Sequence, residues 1–442
     1  MVDGERAEVG AGGEGAGRRT AILLSPDRDT AEIEALAGSA GMRVVRTFVQ
    51  RIDSPNPKFH IGEGKVEEVA RYLKPGGNGE GARGPLVAPA LAVFNGDLKP
   101  TQVFHLEKAL GIPVFDRVRL ILEIFTLRAN SPEARLQVEL AHLQYDVPLV
   151  REYIHRTRTG EHPGLFFAGG AYQVDDYYEM IKARMARIRR ELSRIGGERA
   201  QRRKTRRRGG QALLALAGYT NAGKSALFRA LTDEHVAVDD ELFTTLSTTT
   251  RRLRMPLQGS KALLSDTVGF IRNLPPWLVE AFLSTLEEVF LSDAIILVVD
   301  LSDPLEEMLS KLGTTLGILR KGARPVPVIA AFNKTDIVDH RVADAAVAAA
   351  LARFGLPLNC RISAATGEGL PGLLRLSLSS LGDFFFGEVA GPSPDFPALA
   401  AEGIRPGRAL GGGRSCAADV LLQNWKAQEL SRRLPALVFS RQ

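Results

Sequence analysis

Cysteine is scarce in this sequence, and long apolar runs are missing. The two cysteines, Cys360 and Cys416, are too few for a cysteine-rich zinc site or a disulfide framework, which predicts a reducing compartment. No apolar stretch approaches the roughly 18 residues of a membrane span. The Gly- and Glu-rich N-terminus lacks the apolar core of a signal peptide. The histidines form neither an H-E-x-x-H motif nor a cluster with cysteine. These absences argue against zinc enzymes and membrane proteins and predict a cytoplasmic location.

Strand and helix patterns alternate in the first part of the chain. Between residues 19 and 125, short apolar runs alternate with helical patterns, which predicts an α/β domain with a parallel sheet. Residues 1–18 are rich in Gly, Ala and Glu, and we expect them to be disordered. Residues 388–442 contain scattered prolines and three consecutive glycines, and we expect a flexible tail there. The only regular element expected in the tail is a short helix over 417–430.

Residues 126–208 have the pattern of an antiparallel helical hairpin followed by a basic linker. Apolar residues repeat at four-three spacing in both halves, and the second repeat begins at Val174 and ends with Ile188, Leu192 and Ile195. Residues 182–208 contain 13 Lys or Arg against two Glu. A charge run of this kind is often only a solvated face. The competing interpretation is a surface that binds nucleic-acid phosphates. RNA fits better than DNA if that surface is a rigid hairpin, because no groove-reading module is visible.

A glycine-rich loop lies at the start of the region 209–387. It has the pattern G-x-x-x-x-G-K-S, follows the apolar run 212–217 and precedes a helical pattern, which is the context of a phosphate-binding loop. Backbone N–H groups of such a loop surround phosphate oxygens, the lysine reaches the β- and γ-phosphates, and the hydroxyl binds Mg²⁺. The loop comprises Gly218, Tyr219, Thr220, Asn221, Ala222, Gly223, Lys224 and Ser225.

Three further short motifs follow this loop, each at the end of an apolar strand. A D-x-x-G motif would hold Mg²⁺ through Asp266 and meet the γ-phosphate through Gly269. An N-K-x-D motif ends in Asp336, which can accept two hydrogen bonds that guanine offers and adenine does not. A third motif would contact guanine O6. The motifs are Asp266, Thr267, Val268 and Gly269; Asn333, Lys334, Thr335 and Asp336; and Ser363, Ala364 and Ala365. Their order predicts a guanine-nucleotide (G) domain.

A threonine between the phosphate loop and Asp266 should complete the Mg²⁺ shell and sense the γ-phosphate. Spacing alone leaves four candidates, Thr245, Thr248, Thr249 and Thr250. The flanking segment that we expect to contact nucleotide comprises Phe243, Thr244, Thr245, Leu246 and Ser247.

These motifs resemble those of the HflX-type GTPases, which belong to the Obg–HflX-like branch of the P-loop GTPases. The resemblance extends over residues 20–381 and includes I-G-E-G-K-V-E-E at 61–68, I-L-E-I-F at 121–125 and L-Q-V-E-L-A at 136–141. Bacterial members carry G-x-G-x-x-x-R-G-P-G-E-T-Q before the second hairpin helix. This chain has different residues between 160 and 173, closer to an archaeal-type variant.

The resemblance implies an N-terminal HflX domain over 19–125, a helical hairpin over 126–208 and a G domain over 209–387. It implies binding of GTP and GDP and association with the large ribosomal subunit and its rRNA, in ribosome splitting, rescue or assembly. It also places the Mg²⁺ ligands at Ser225, Thr245 and Asp266, and the residues of hydrolysis at Lys224, Thr245 and Gly269. We expect a monomer when the protein is not on the ribosome.

Two rival functions remain open on the sequence. One is a GTP-gated scaffold for a protein partner, and the other is an RNA-binding or RNA-remodelling protein regulated by nucleotide. Hydrolysis is expected to be slow without stimulation, because Phe270 stands where Ras-type switches carry a water-orienting glutamine. The ribosome is the first candidate stimulator. The second is K⁺, because Asn221 stands where potassium-activated GTPases carry a cation-ligating asparagine.

Overall fold

The structure is a computed structural model of the 442-residue chain. Its compact parts form two units, the first within residues 1–123 and 146–178 and the second within residues 124–145 and 179–442. The described residues are 19–52, 54–74, 88–158, 171–232, 249–254, 258–259, 261–267, 269, 275, 277–278, 289–320, 325–392, 399, 404–405, 408–410 and 415–441.

The first unit contains a four-stranded parallel sheet with strand order β2-β1-β3-β4. The two central strands are buried over residues 20–25 and 91–94, and helices pack against them, as the predicted α/β domain requires. The elements in chain order are β1 (Arg19–Ser25), α1 (Ala31–Ser39), β2 (Met42–Val49), α2 (Glu63–Leu73), β3 (Leu91–Phe94), α3 (Pro100–Leu110), β4 (Val114–Phe115) and α4 (Arg117–Arg128), of which α4 continues into the second unit.

Two long helices, α5 (Pro132–Arg158) and α6 (Ala171–Arg208), form the predicted hairpin. Within the first unit, Arg151 donates to the Tyr178 hydroxyl. Within the second unit, Arg184 forms two hydrogen bonds with the Glu139 carboxylate, at 2.6 and 2.7 Å. None of the helices in the described ranges combines the length and apolar character needed to cross a bilayer.

The second unit contains a six-stranded sheet with order β11-β10-β9-β5-β8-β6, parallel except for β6. Its elements are β5 (Ala212–Gly218), α7 (Lys224–Leu231), β6 (Thr249–Arg252), β8 (Ala262–Asp266), β9 (Ala294–Asp300), α8 (Leu305–Leu319), β10 (Val328–Asn333), a 3₁₀ turn (Thr335–Ile337), α9 (His340–Phe354), β11 (Asn359–Arg361) and α10 (Leu370–Ser379), with β7 (Gln258–Gly259) between β6 and β8.

Helices cover both faces of this sheet. Leu214 and Leu216 of β5 pack with α7 and α10 on one face, whereas Leu297 and Val299 of β9 pack with α8 and α9 on the other. Alternate residues of β9 therefore enter opposite cores, since Ile296 and Val298 belong to the first of them. The chain runs from β5 to β8 on one side and then to β9 on the other. The carboxyl end of β5 thus lies at the topological switch point, where open α/β sheets bind ligands.

The expectation of a flexible C-terminal tail is wrong for the described part of that region. Residues from 384 onward form strands β12 (Phe384–Pro392), β13 (Arg408–Leu410), β14 (Ser415–Gln423) and β15 (Val438–Arg441), with helix α11 (Asn424–Arg433). The helix expected over 417–430 begins only at Asn424, and residues 417–423 belong to β14 instead. Antiparallel pairing of β14 with all nine residues of β12 decides the conformation there. Together with β7, which pairs with β14 in parallel, these strands form a five-stranded sheet.

Candidate functional site

Two glycines shape the loop between β5 and α7. Gly218 has φ +149° and Gly223 has φ +93°, both in the region that favours glycine. A side chain at Gly218 would collide with the Val298 carbonyl, and one at Gly223 would collide with the Asn333 amide. Asn221 between them also adopts a left-handed conformation, with φ 63°. The loop therefore has the compact turn that directs backbone N–H groups toward a bound phosphate.

Lys224 begins α7, and its ammonium group is folded back into the loop. Nζ donates to the Tyr219 carbonyl at 2.7 Å, and only 7% of the residue is exposed. Burial lowers the pKa of Lys224 to about 8, although the nearby Asp266 carboxylate acts in the opposite direction. Phosphate oxygens close to this ammonium would favour its charged form.

Ser225 and Asp266 lie together at the ends of α7 and β8. The Ser225 hydroxyl is 3.4 Å from Oδ2 of Asp266, whose Oδ1 accepts the Thr267 N–H at 2.9 Å. The Thr267 hydroxyl donates to the Leu216 carbonyl, which ties β8 to β5. A hydroxyl and a buried carboxylate at this separation are oxygen donors of the kind Mg²⁺ prefers, so these residues fit the ion. Gly269 approaches the same place, since a Cβ there would lie 2.8 Å from Lys224 Nζ.

Asn333 links the phosphate loop to the other half of the site. Its Nδ2 donates to the Ala222 carbonyl and its Oδ1 accepts the Ala364 N–H, each at 2.9 Å. The residue is 2% exposed. The amide therefore joins three of the predicted motifs. Lys334 follows in a left-handed conformation, with φ 71°.

The Asp336 carboxylate is oriented by a neighbouring motif. Its Oδ1 accepts the Ser363 hydroxyl at 2.6 Å, and the Ser363 oxygen accepts the Thr366 N–H at 3.1 Å. Thr335 N–H donates to the Ile362 carbonyl at 3.3 Å, which joins the two loops. Ala365 is exposed beside them. A carboxylate held in this way can accept the two donors on the guanine edge.

Six of the predicted site residues lie outside the described residues. They are Phe243, Thr244, Thr245, Leu246, Ser247 and Val268, and Thr248 and Phe270 lie outside as well. Among the other threonine candidates, Thr249 pairs with Asp266 in the sheet, and the Thr250 hydroxyl lies 3.3 Å from that of Ser265. Both belong to β6.

Sequence reasoning missed Asp300, which lies at the carboxyl end of β9. Its Oδ2 forms a 2.6 Å ion pair with Lys334, and its Oδ1 accepts the Ser302 N–H and hydroxyl. Asp300 therefore fixes the lysine of the N-K-x-D motif. The available signal was an acidic residue closing a buried strand at the ligand-binding edge of the sheet.

Comparisons with known proteins agree with this geometry. Family models match residues 27–126 (GTP-binding GTPase N-terminal), 128–206 (GTP-binding GTPase Middle Region) and 213–334 (50S ribosome-binding GTPase). A protein of Thermococcus kodakarensis named GTPase HflX is 45% identical over 316 residues, which cover 71% of this chain and 68% of that protein. The chain belongs to the HflX family of GTPases. The predicted family is thereby confirmed, and GTP binding and hydrolysis are the activities of this HflX-family chain.

Further relatives are similar over comparable lengths. A GTPase HflX of Hyperthermus butylicus is 38% identical over 349 residues, covering 78% of this chain and 90% of that protein. A solved GTP-binding protein from Sulfolobus solfataricus in complex with GDP is 27% identical. It covers 81% of this chain and 98% of that chain, with a TM-score of 0.46.

Nucleotide binding by this HflX-family chain should take up protons near pH 8. Because burial lowers the pKa of Lys224 to about 8, part of the nucleotide-free population carries a neutral lysine at that pH. Phosphate binding favours the ammonium form, so we expect net proton uptake on GDP binding at pH 8 and an affinity that falls as pH rises further. Calorimetric titration in buffers of different ionisation enthalpy measures this uptake. Lys224→Arg, which stays charged, is the control, and equal uptake by both proteins would contradict the assignment.

Proposed function

We propose that this protein is a Mg²⁺-dependent GTPase that associates with the large ribosomal subunit and acts in ribosome splitting, rescue or biogenesis, with the bound nucleotide as its switch. The observation that carries the ribosomal part is the cationic outer face of α6. Support also comes from the match of residues 213–334 to a family described as 50S ribosome-binding GTPase. The place of action would be the cytoplasm, where ribosomes are found.

The outer face of α6 is cationic because its apolar side chains point inward. Ile181, Met185 and Ile188 are buried, whereas the arginines from 187 to 194 are exposed. The exposed arginines are Arg187, Arg189, Arg190 and Arg194. A rigid helix that presents guanidinium groups at successive turns suits the phosphate backbone of folded RNA, which is recognised mainly by shape and charge.

Each part of the nucleotide has a proposed binding element. The N–H groups of residues 218–225 and the Lys224 ammonium would hold the phosphates, and Asp336 with residues 363–365 would hold the guanine edge. Ser225, Thr245 and Asp266 would hold Mg²⁺, which neutralises charge on the β- and γ-phosphates when it is bound. Lys224 keeps an ammonium at the phosphates, and Gly269 would present its N–H to the γ-phosphate. The Asn333 bridge keeps the phosphate and guanine elements in fixed relation.

Charge reversal on α6 tests the proposed ribosomal surface. Replacing Arg187, Arg190 and Arg194 by Glu should weaken co-sedimentation with large subunits about tenfold or more. It should also reduce the slope of log affinity against log salt by about two to three, since each lost phosphate contact removes roughly 0.7 to 0.9. Sedimentation across a KCl series, with GDP or a GTP analogue, measures both quantities.

A matched control keeps the total charge change constant. Arg341, Arg353 and Arg432 are exposed on other helices, and their reversal to Glu should leave the salt slope unchanged. If the two triple variants showed the same affinity for large subunits and the same salt slope, the α6 face would be an ordinary solvated surface and not an RNA-binding one. Retained binding to isolated RNA without binding to subunits would favour the RNA-remodelling alternative. Absence of both would favour the scaffold for a protein partner.

A further inference from the structure

A compact group of charges lies at the start of α8, beside the phosphate loop. The Lys311 ammonium is 2.8 Å from both carboxylate oxygens of Asp303 and 2.9 Å from Oε1 of Glu307. The side chains of Lys311 and Asp303 are only 19% and 17% exposed. Burial raises the pKa of Asp303, although Lys311 opposes the shift. Two carboxylates therefore fix one half-buried cation in a single position.

The fixed cation faces an aromatic ring of the phosphate loop. Lys311 Nζ lies 5.2 Å from the centroid of the Tyr219 ring, within the range of a cation–π interaction. Tyr219 is 8% exposed, so solvent screens this attraction only weakly. Tyr219, Lys311 and Asp303 line one cleft beside the loop.

The backbone of the same tyrosine holds the lysine that is proposed to bind phosphate. The Tyr219 carbonyl accepts Lys224 Nζ at 2.7 Å. The ring and the carbonyl belong to the same residue, so the contact with Lys311 restrains the backbone position from which the carbonyl accepts Lys224. Asp303 and Glu307 are thus connected to Lys224 through the Lys311 ammonium and then through the ring and the carbonyl of Tyr219.

We infer that Lys311 is a positioning residue for phosphate binding, acting through the Tyr219 ring to fix the orientation of Lys224. Lys311 touches no nucleotide in this role. The inference rests on the proposed assignment of residues 218–225 as the phosphate loop. It means that α8, which lies outside the four sequence motifs, contributes to nucleotide affinity.

The test compares nucleotide affinity with stability in a set of variants. Lys311→Met keeps the length of the side chain but removes its charge, and we expect affinity for GDP and GTP to fall about tenfold, the size of a desolvated cation–π contact. Lys311→Arg retains a cation and should stay within about twofold of the parent protein. Fluorescent GDP and GTP analogues give the dissociation rates and constants, and thermal unfolding of the nucleotide-free protein gives stability.

Two double variants separate positioning from a structural role. Lys311→Met leaves Asp303 half-buried and unpaired with Lys311, which itself destabilises the fold. Adding Asp303→Asn removes that charge, so Tm should recover while nucleotide affinity should stay low. Tyr219→Leu removes the ring, and combining it with Lys311→Met should weaken binding no more than Tyr219→Leu does alone, because the two residues act in one path.

The outcomes are distinct. Affinity that recovers together with Tm in the Asp303→Asn, Lys311→Met protein would overturn the inference, because the effect would then be structural. Independent, multiplying effects of Tyr219→Leu and Lys311→Met would overturn it as well. If the parent protein itself did not bind GDP, the proposed phosphate loop would fail. If the parent protein and the Lys311→Met variant bound GDP with equal affinity, the positioning role of Lys311 would be wrong but the phosphate loop would stand.

Discussion

Asp336→Asn is expected to lower the affinity for GDP by a hundredfold or more and to create binding of XDP. The carboxylate accepts two donors of guanine, and charge-assisted hydrogen bonds of this kind contribute about 1.5 to 3 kcal/mol each. An asparagine amide presents one donor and one acceptor instead, which matches the edge of xanthine. Oδ1 of the asparagine can still accept the Ser363 hydroxyl, so the loop should keep its shape.

Nucleotide titrations with GDP, XDP and ADP measure this change of specificity. Asp344→Asn is the matched control, because Asp344 is an exposed aspartate on α9 and makes its ion pair with Arg361. The control should bind GDP as the parent does. Equal GDP affinity of Asp336→Asn and the parent protein would contradict the assignment of Asp336 as the guanine-reading residue.

GTP turnover by the isolated protein in NaCl is expected to be slow, on the order of 10⁻⁴ to 10⁻² per second, as in GTPases that lack an external activator. Phe270 provides no group to orient water, and residues 218–225 contain no arginine to stabilise charge in the transition state. We expect large ribosomal subunits to raise turnover about a hundredfold or more by ordering the residues around the γ-phosphate. Stimulation by KCl should be smaller and should depend on Asn221.

Steady-state phosphate release in KCl and NaCl, with and without large subunits, separates these contributions. Asn221→Ala should lose the difference between the two salts and keep the response to subunits. Fast turnover in NaCl without subunits would show that the site is complete on its own. If small ribosomal subunits stimulated turnover as much as large ones do, the large subunit would no longer be the proposed partner.

The placement of the motifs at one edge of the sheet was predictable from the sequence because the motifs are local. The turn at Gly218 and Gly223 and the order of the later motifs follow from short patterns, each at the end of an apolar strand. Contacts such as Asp300 with Lys334, or Lys311 with Tyr219, join residues from different elements. A local pattern can mark one partner, as at Asp300, but it does not show which residue lies opposite. The bridging role of Asn333 became visible only with the distances to Ala222 and Ala364.

The C-terminal sheet escaped prediction for a related reason. Residues 415–423 contain one β-branched residue, Val420, and a single-sequence pattern gave no strong strand signal. Their conformation is decided by pairing with β12 and by the burial of Val420, Leu421 and Leu422. Such pairing depends on tertiary context, and prolines and glycines nearby made the region resemble a linker.

The pairing of β7 with β14 also has a consequence for the order of events during synthesis. Gln258 and Gly259 precede their partners, Val420 and Leu421, by about 160 residues of chain. At elongation rates of roughly 5 to 20 residues per second, the early partner waits on the order of 8 to 30 s for the late one. All six strands of the nucleotide-binding sheet are synthesised before β14. That sheet can therefore assemble on the nascent chain, whereas the strand contributed by residues 258–259 to the C-terminal sheet is paired only as translation finishes.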